Sequence, residues 1–212
     1  MLHENQINAN YATWVDRLQK YGCYSQQLLD DLGGKIAHAP YSMENTSGAA
    51  YNGALLDVVI NHLCVIAFHL NEWGMTNTAN KQIVHPYLKV NTYMLLRVLL
   101  LQHISKAELY VAQQEAWKVK KGMLYQFNND ITTTLRTGER SLYLCQKYGI
   151  ALTEDEFDAI RIIDKLDELS TNAYISPLAQ MVKTVNQFTA LEMRRLYETA
   201  NAQKNKQQTI EK

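Results

Sequence analysis

Cysteine, proline and net charge are all scarce in this chain, and each scarcity excludes something. Three cysteines in 212 residues, Cys23, Cys64 and Cys145, lie far apart and form no CxxC pair. Neither a disulfide framework nor a thiolate metal knuckle is written here, and reduced thiols in a cytosolic setting are expected. The 21 basic side chains balance 21 acidic ones. Neutrality gives no general attraction to nucleic acid or to a membrane surface, and it weakens the repulsion that keeps monomers apart. The N-terminus, MLHENQINAN, is polar and has no signal-peptide core. Long hydrophobic runs are lacking too. The stretches 54–70 and 94–101 are interrupted by Asp57, Asn61, His62 and Arg97, which reads as too short or too polar to span a bilayer. No phosphate-binding glycine loop, GxSxG or HExxH is present.

The three prolines, Pro40, Pro86 and Pro177, fall where helical patterns start or stop. Residues 11–34 read as one or two helices ended by Gly33-Gly34, and 38–48 as a polar loop. Ala49 to about Trp73 reads as a long apolar helix ended near Gly74. Pro86 should open a helix to Leu101 that continues through SKAELYVAQQEAW, with Ser105 and Glu108 at capping-box spacing. Residues 117–136 alternate, contain Gly122 and a turn cluster at Asn128-Asn129-Asp130, and read as a β-hairpin or extended loop. Helices resume at 137–149, after Thr153, and from Ser176-Pro177. The expectation is an all-α bundle with one small hairpin, a single domain over 1–202 with the helices of 1–35 packed on it, and a flexible tail, 203–212.

Four stretches, in order, resemble the HD-domain superfamily of metal-dependent phosphohydrolases, especially its small phage and mobile-element members. They are APYSMENTSGAAYNGALLDV (39–58), LLLQHISK (99–106), TGERSLYLCQKYGIALTEDEFDAIR (137–161) and SPLAQMVKTVN (176–186). The resemblance implies an HD-like helical bundle whose histidines and aspartates would hold one or two metal ions. Transferred position by position, those ligands fall on Val58, Gln102, His103, Thr137, Ile163, Lys183 and Asn186, and no position keeps its family residue. Val58 and Ile163 offer no donor, Thr137, Gln102 and Asn186 offer weak neutral ones, and the Lys183 ammonium would repel a cation. The expectation is a retained scaffold with no metal, no cofactor and no catalytic residue.

Other residues carry weaker signals. His103 alone has no partner with which to hold a metal and reads as a hydrogen-bonded core histidine. His62 and His69 share a helix face but stand about 10 Å apart along it, too far for one ion. Asp57 reads as a hydrogen-bonding or ion-pairing residue. The helix start at TGERS, with Arg140, is a candidate anion contact, and Arg161 and Lys183 would join it if the old cavity held an anion. Trp117, Lys118, Lys120, Lys121 and Tyr125 form a basic-aromatic patch, which in a neutral chain reads first as a solvated hairpin or protein contact.

The sequence is compatible with three functions. The leading one is a catalytically inactive, HD-like protein acting by protein contacts or self-association, with phage encoding and a role in virion assembly or host-factor binding implied by the resemblance alone. Its thirteen tyrosines suit interfaces. The others are a phosphohydrolase with a migrated site and a regulator that binds a nucleotide. The expected location is cytoplasmic, in a host cell or a virion, with no membrane or nucleic-acid partner.

Overall fold

The computed structural model describes residues 2–73, 75–78, 81–84, 90–164 and 174–210. It is a mostly helical body with small antiparallel β elements, in line with the all-α expectation. Helix α1 (Glu4–Lys20) buries Ile7, Trp14 and Leu18, spaced to share one face. It ends at Gly22, whose φ of 62° favours glycine. Helix α2 (Gln26–His38) starts at Ser25, whose hydroxyl accepts from the Leu28 amide. It runs past Gly33-Gly34, the expected stop. A Cβ on Gly33 would lie 2.4 Å from the Tyr11 hydroxyl, so this glycine serves the close α1–α2 approach rather than a helix end.

The central apolar rod begins at Ala54, not Ala49. It comprises α3 (Ala54–Asp57), a π turn over Val58–Leu63, and α4 (Cys64–Trp73). Over Ala54–Glu72 its length and mean hydropathy of 1.6 are sufficient for a membrane span, so the expectation that this run is too polar was too strict. Some 56% of that window is buried within the protein itself. Strands β1 (Met75–Thr78) and β2 (Lys81–Val84) pair antiparallel beyond it, a hairpin the sequence pattern did not announce. Gly74 and Pro86 lie outside the described residues. The next helix, α5 (Thr92–Leu101), is capped by Asn91, whose side chain accepts from Tyr93 N and Met94 N.

After α5 the chain departs from the expected continuous helix. A turn leads to the short α6 (Lys106–Leu109), then strand β3 (Tyr110–Ala112), helix α7 (Ala116–Lys120) and strand β4 (Tyr125–Phe127). Strands β3 and β4 pair antiparallel, Tyr110 opposite Phe127, so the small β element lies N-terminal to its expected turn at Asn128-Asn129-Asp130. Tertiary contacts set this register: the Met43 carbonyl accepts from Leu124 N and Tyr125 N. The Ser105–Glu108 capping box does not form. The Ser105 hydroxyl donates instead to the Thr137 carbonyl, and Glu108 pairs with Arg140.

Helices α8 (Thr137–Lys147) and α9 (Glu154–Arg161) follow, the latter with the Thr153–Glu156 capping box in place. Helix α10 (Pro177–Ile210) starts where Ser176 accepts from Ala179 N, and its backbone stays helical through most of the expected tail. One hydrophobic cluster takes residues from α1, α2, the central rod, α5, α8, α9 and α10, among them Trp14, Leu55, Leu99, Leu144, Ile160 and Val185.

Candidate functional site

The turn Gln102–Ser105 is the point where the four quoted stretches meet. The end of helix α5 is buried on every side, from Val98 to Leu101, and it delivers Gln102 and His103 into the interior. Two serines clamp the turn to α8. Ser141 Oγ donates to the Gln102 carbonyl at 2.9 Å and accepts from Ser105 N at 3.3 Å. Ser105 Oγ donates to the Thr137 carbonyl at 2.8 Å. The serines of "ISK" and "GERS" are therefore one hydrogen-bonded joint.

From α10, Asn186 closes the other side. Its Nδ2 donates to Val182 O at 2.9 Å and to Gln102 Oε1 at 3.0 Å. The Val182 carbonyl can only accept, so the amide orientation is fixed, and Asn186 Oδ1 faces Gln102 Nε2 at 3.4 Å and His103 Nε2 at 3.2 Å. An oxygen in that position requires His103 to carry its proton on Nε2. The Tyr41 hydroxyl lies 3.0 Å from the same nitrogen, with its ring edge-on to the imidazole. His103 Nδ1 is buried without a hydrogen-bond partner. Burial, and then the neighbouring Lys106 charge, hold the His103 pKa well below its usual value, so the ring is neutral.

Lys106 is the titratable amine of the cluster. Its Nζ donates to the Tyr41 carbonyl at 2.7 Å and lies 3.5 Å from the Tyr41 ring centroid. Burial lowers its pKa to about 7, against a smaller pull from Asp164. Beside it opens a cavity of about 730 Å³, lined by Tyr41, Ser47, Lys106, Tyr110, Arg194 and Tyr197 among others.

The structure thus gathers Gln102, His103 and Asn186. Thr137 joins through its carbonyl. Ile163 is half-buried beside Gly138, Val58 lies wholly inside the core within the π turn, and Lys183 stands half-buried one helical turn before Asn186. The candidate anion contacts do not assemble. Arg140 is held by Glu108 through two bonds of 2.9 and 2.8 Å, and Arg161 by Asp158 at 2.7 Å. The Gly138 amide, which an anion at TGERS would need, already donates to Asp164 Oδ2 at 2.6 Å. Asp57 accepts from Tyr51, Asn10 and Asn61, as a hydrogen-bonding residue should. His62 pairs with Glu192 at 2.8 Å, and the exposed Trp117 donates to Glu115 between Lys118 and Lys121.

A metal does not fit the donors that converge here: two amides, a neutral imidazole and an amine. Among the described residues, no three His, Cys, Asp or Glu side chains stand close enough to hold one. Tyr41 and Lys106 were missed as site residues. Both lie inside the quoted stretches, in "APYS" and "QHISK", but nothing in the sequence showed that lysine and tyrosine would stack. Comparison with family models, curated proteins and solved structures returned no match.

Proposed function

We propose that this chain is a non-enzymatic protein on an HD-like helical scaffold, working through protein contacts as a structural or assembly component. The observation that carries this reading is the reciprocal amide pair between Gln102 and Asn186. It spends the polar groups of two ligand positions on each other and fixes His103 as a neutral donor. A centre built to activate water needs the opposite: free, charged or basic donors facing an open position. The phage or prophage setting, in host cytoplasm or virion, follows from the resemblance alone.

The test is calorimetric titration with zinc, manganese and magnesium, alongside hydrolysis assays on nucleotides and simple phosphodiesters. Neither saturable metal binding nor turnover is expected. Metal-dependent turnover lost in His103→Ala would overturn the reading.

The cavity beside Lys106 favours a second reading, a regulator that binds a nucleotide without converting it. Its size suits a small ligand. A nucleotide that raises Tm and is recovered unchanged would select this reading over the first.

A further inference from the structure

We propose that the outer face of α10 is a self-complementary docking surface for a second copy of this chain, laid antiparallel along the helix. This deepens the interaction reading by naming the partner, and it rests on that reading only for its biological use. Phe188, Leu191 and Leu196 are all exposed, Leu191 to 65%. With Glu192 and Arg195 they surround one shallow hollow of about 300 Å³. His62 joins Glu192 across to the central rod, where Val65 and Phe68 of α4 are also exposed. Single exposed apolar residues are ordinary, but five on two packed helices make a patch that a partner would cover.

Two features select a second copy. The first is charge. Glu192 and Arg195 are three apart and share a helix face. An antiparallel pair centred between Met193 and Arg194 sets position 192 opposite 195, 191 opposite 196 and 188 opposite 199. Glu192 then meets Arg195 of the other copy, twice by two-fold symmetry, with Leu191 and Leu196 on the two flanks of the seam. Among the described residues Arg195 has no carboxylate partner within its own chain. The second feature is length. The last buried side chain of α10 is Met193, and none of the described side chains from 194 to 203 is buried, yet the backbone stays helical through Ile210. Over 194–203 only Tyr197, whose hydroxyl accepts from Asn45 Nδ2, and Asn201 are even half-buried. A helix so thinly packed is marginal in water, and a second α10 alongside adds packing.

Sedimentation equilibrium of the full chain at micromolar concentration tests this, with circular dichroism to confirm that each variant folds. The wild type should be a dimer, and Glu192→Arg and Arg195→Glu should each be monomeric through like-charge contact. Mixed one to one, those two variants should form a dimer again, because each then meets its opposite. Losing the Glu192–His62 contact cannot produce that rescue. A monomeric wild type, a dimer indifferent to both substitutions, or folded variants that fail to pair when mixed would each overturn the proposal. A dimer with phosphoesterase activity would overturn the non-enzymatic reading and leave this one standing; an inactive monomer would do the reverse.

Discussion

Arg97 Nε and Glu156 Oε1 meet at 2.6 Å inside the core, with side chains 9% and 1% exposed. Glu156 Oε2 also accepts from Thr153 N, so one carboxylate closes the α9 capping box and holds the arginine. The remaining guanidinium nitrogens donate to the carbonyls of Tyr21, Gly22 and Ala151. This one side chain ties α5 to the α1–α2 turn and to the loop before α9. Glu156→Gln should therefore leave a buried charge without its counter-ion, costing roughly 3–5 kcal/mol. Urea unfolding should show a lower midpoint at unchanged slope, and a double-mutant cycle with Arg97→Met should give coupling of about 1 kcal/mol or more.

Lys106 should make stability rise with pH just above neutrality. An unfolded lysine keeps its proton to about pH 10.4, whereas the folded Lys106 releases it near 7. Between those values the unfolded chain binds the extra proton, so raising the pH favours the fold by up to about 1.4 kcal/mol per unit. Below 7 both states are protonated and the penalty is constant. The buried thiols act oppositely at higher pH: burial pushes Cys23 and Cys64 up to about 11 and Cys145 to about 12. Their contribution is complete below an unfolded thiol pKa of about 8.5 and is lost as the pH climbs from there towards the folded values. Urea melts between about pH 7 and 8.5 should thus show the rise in the wild type and a flat profile in Lys106→Met. A flat wild-type profile would mean that the amine stays charged.

Gly138→Ala should destabilise by roughly 1–3 kcal/mol. The added Cβ would fall 2.3 Å from the Ile160 carbonyl and 3.0 Å from Ile163 Cγ1, so α8 and α9 must part. Gly34→Ala is the control. It lies in α2 with nothing within 4 Å of the new methyl, and should stabilise by roughly 0.4–1 kcal/mol. Thermal melts of the two variants should move in opposite directions.

Installing donors where the structure gathers these side chains should create metal affinity. The triple change Gln102→His, His103→Asp and Asn186→Asp places an imidazole and two carboxylates where the amide network now closes. Zinc should then raise Tm of the triple variant and leave the wild type unchanged. No zinc response in a folded triple variant would show that these positions do not converge as a metal site requires.

Periodicity and end signals made most long helices legible: Thr153 before Glu156, Ser176 before Pro177, and the apolar stripe of the central rod act locally, within a turn or two of backbone. The same local logic failed at Gly33, where the deciding contact is Tyr11 from another helix, and at Tyr110–Ala112. There a strand replaced the expected helix because its partner, 125–127, comes later in the chain and is itself held by Met43.

The site divides the same way. The sequence by itself determined that Val58, Gln102, Thr137, Ile163, Lys183 and Asn186 bring no strong metal donor, since donor chemistry belongs to the side chain wherever it lies. Only the tertiary structure decided that Gln102, His103 and Asn186 meet, that Ser105 and Ser141 lock their turn, and that Lys106 stacks on Tyr41. Those contacts join residues tens of positions apart, and their geometry depends on how whole helices cross, which no local pattern encodes.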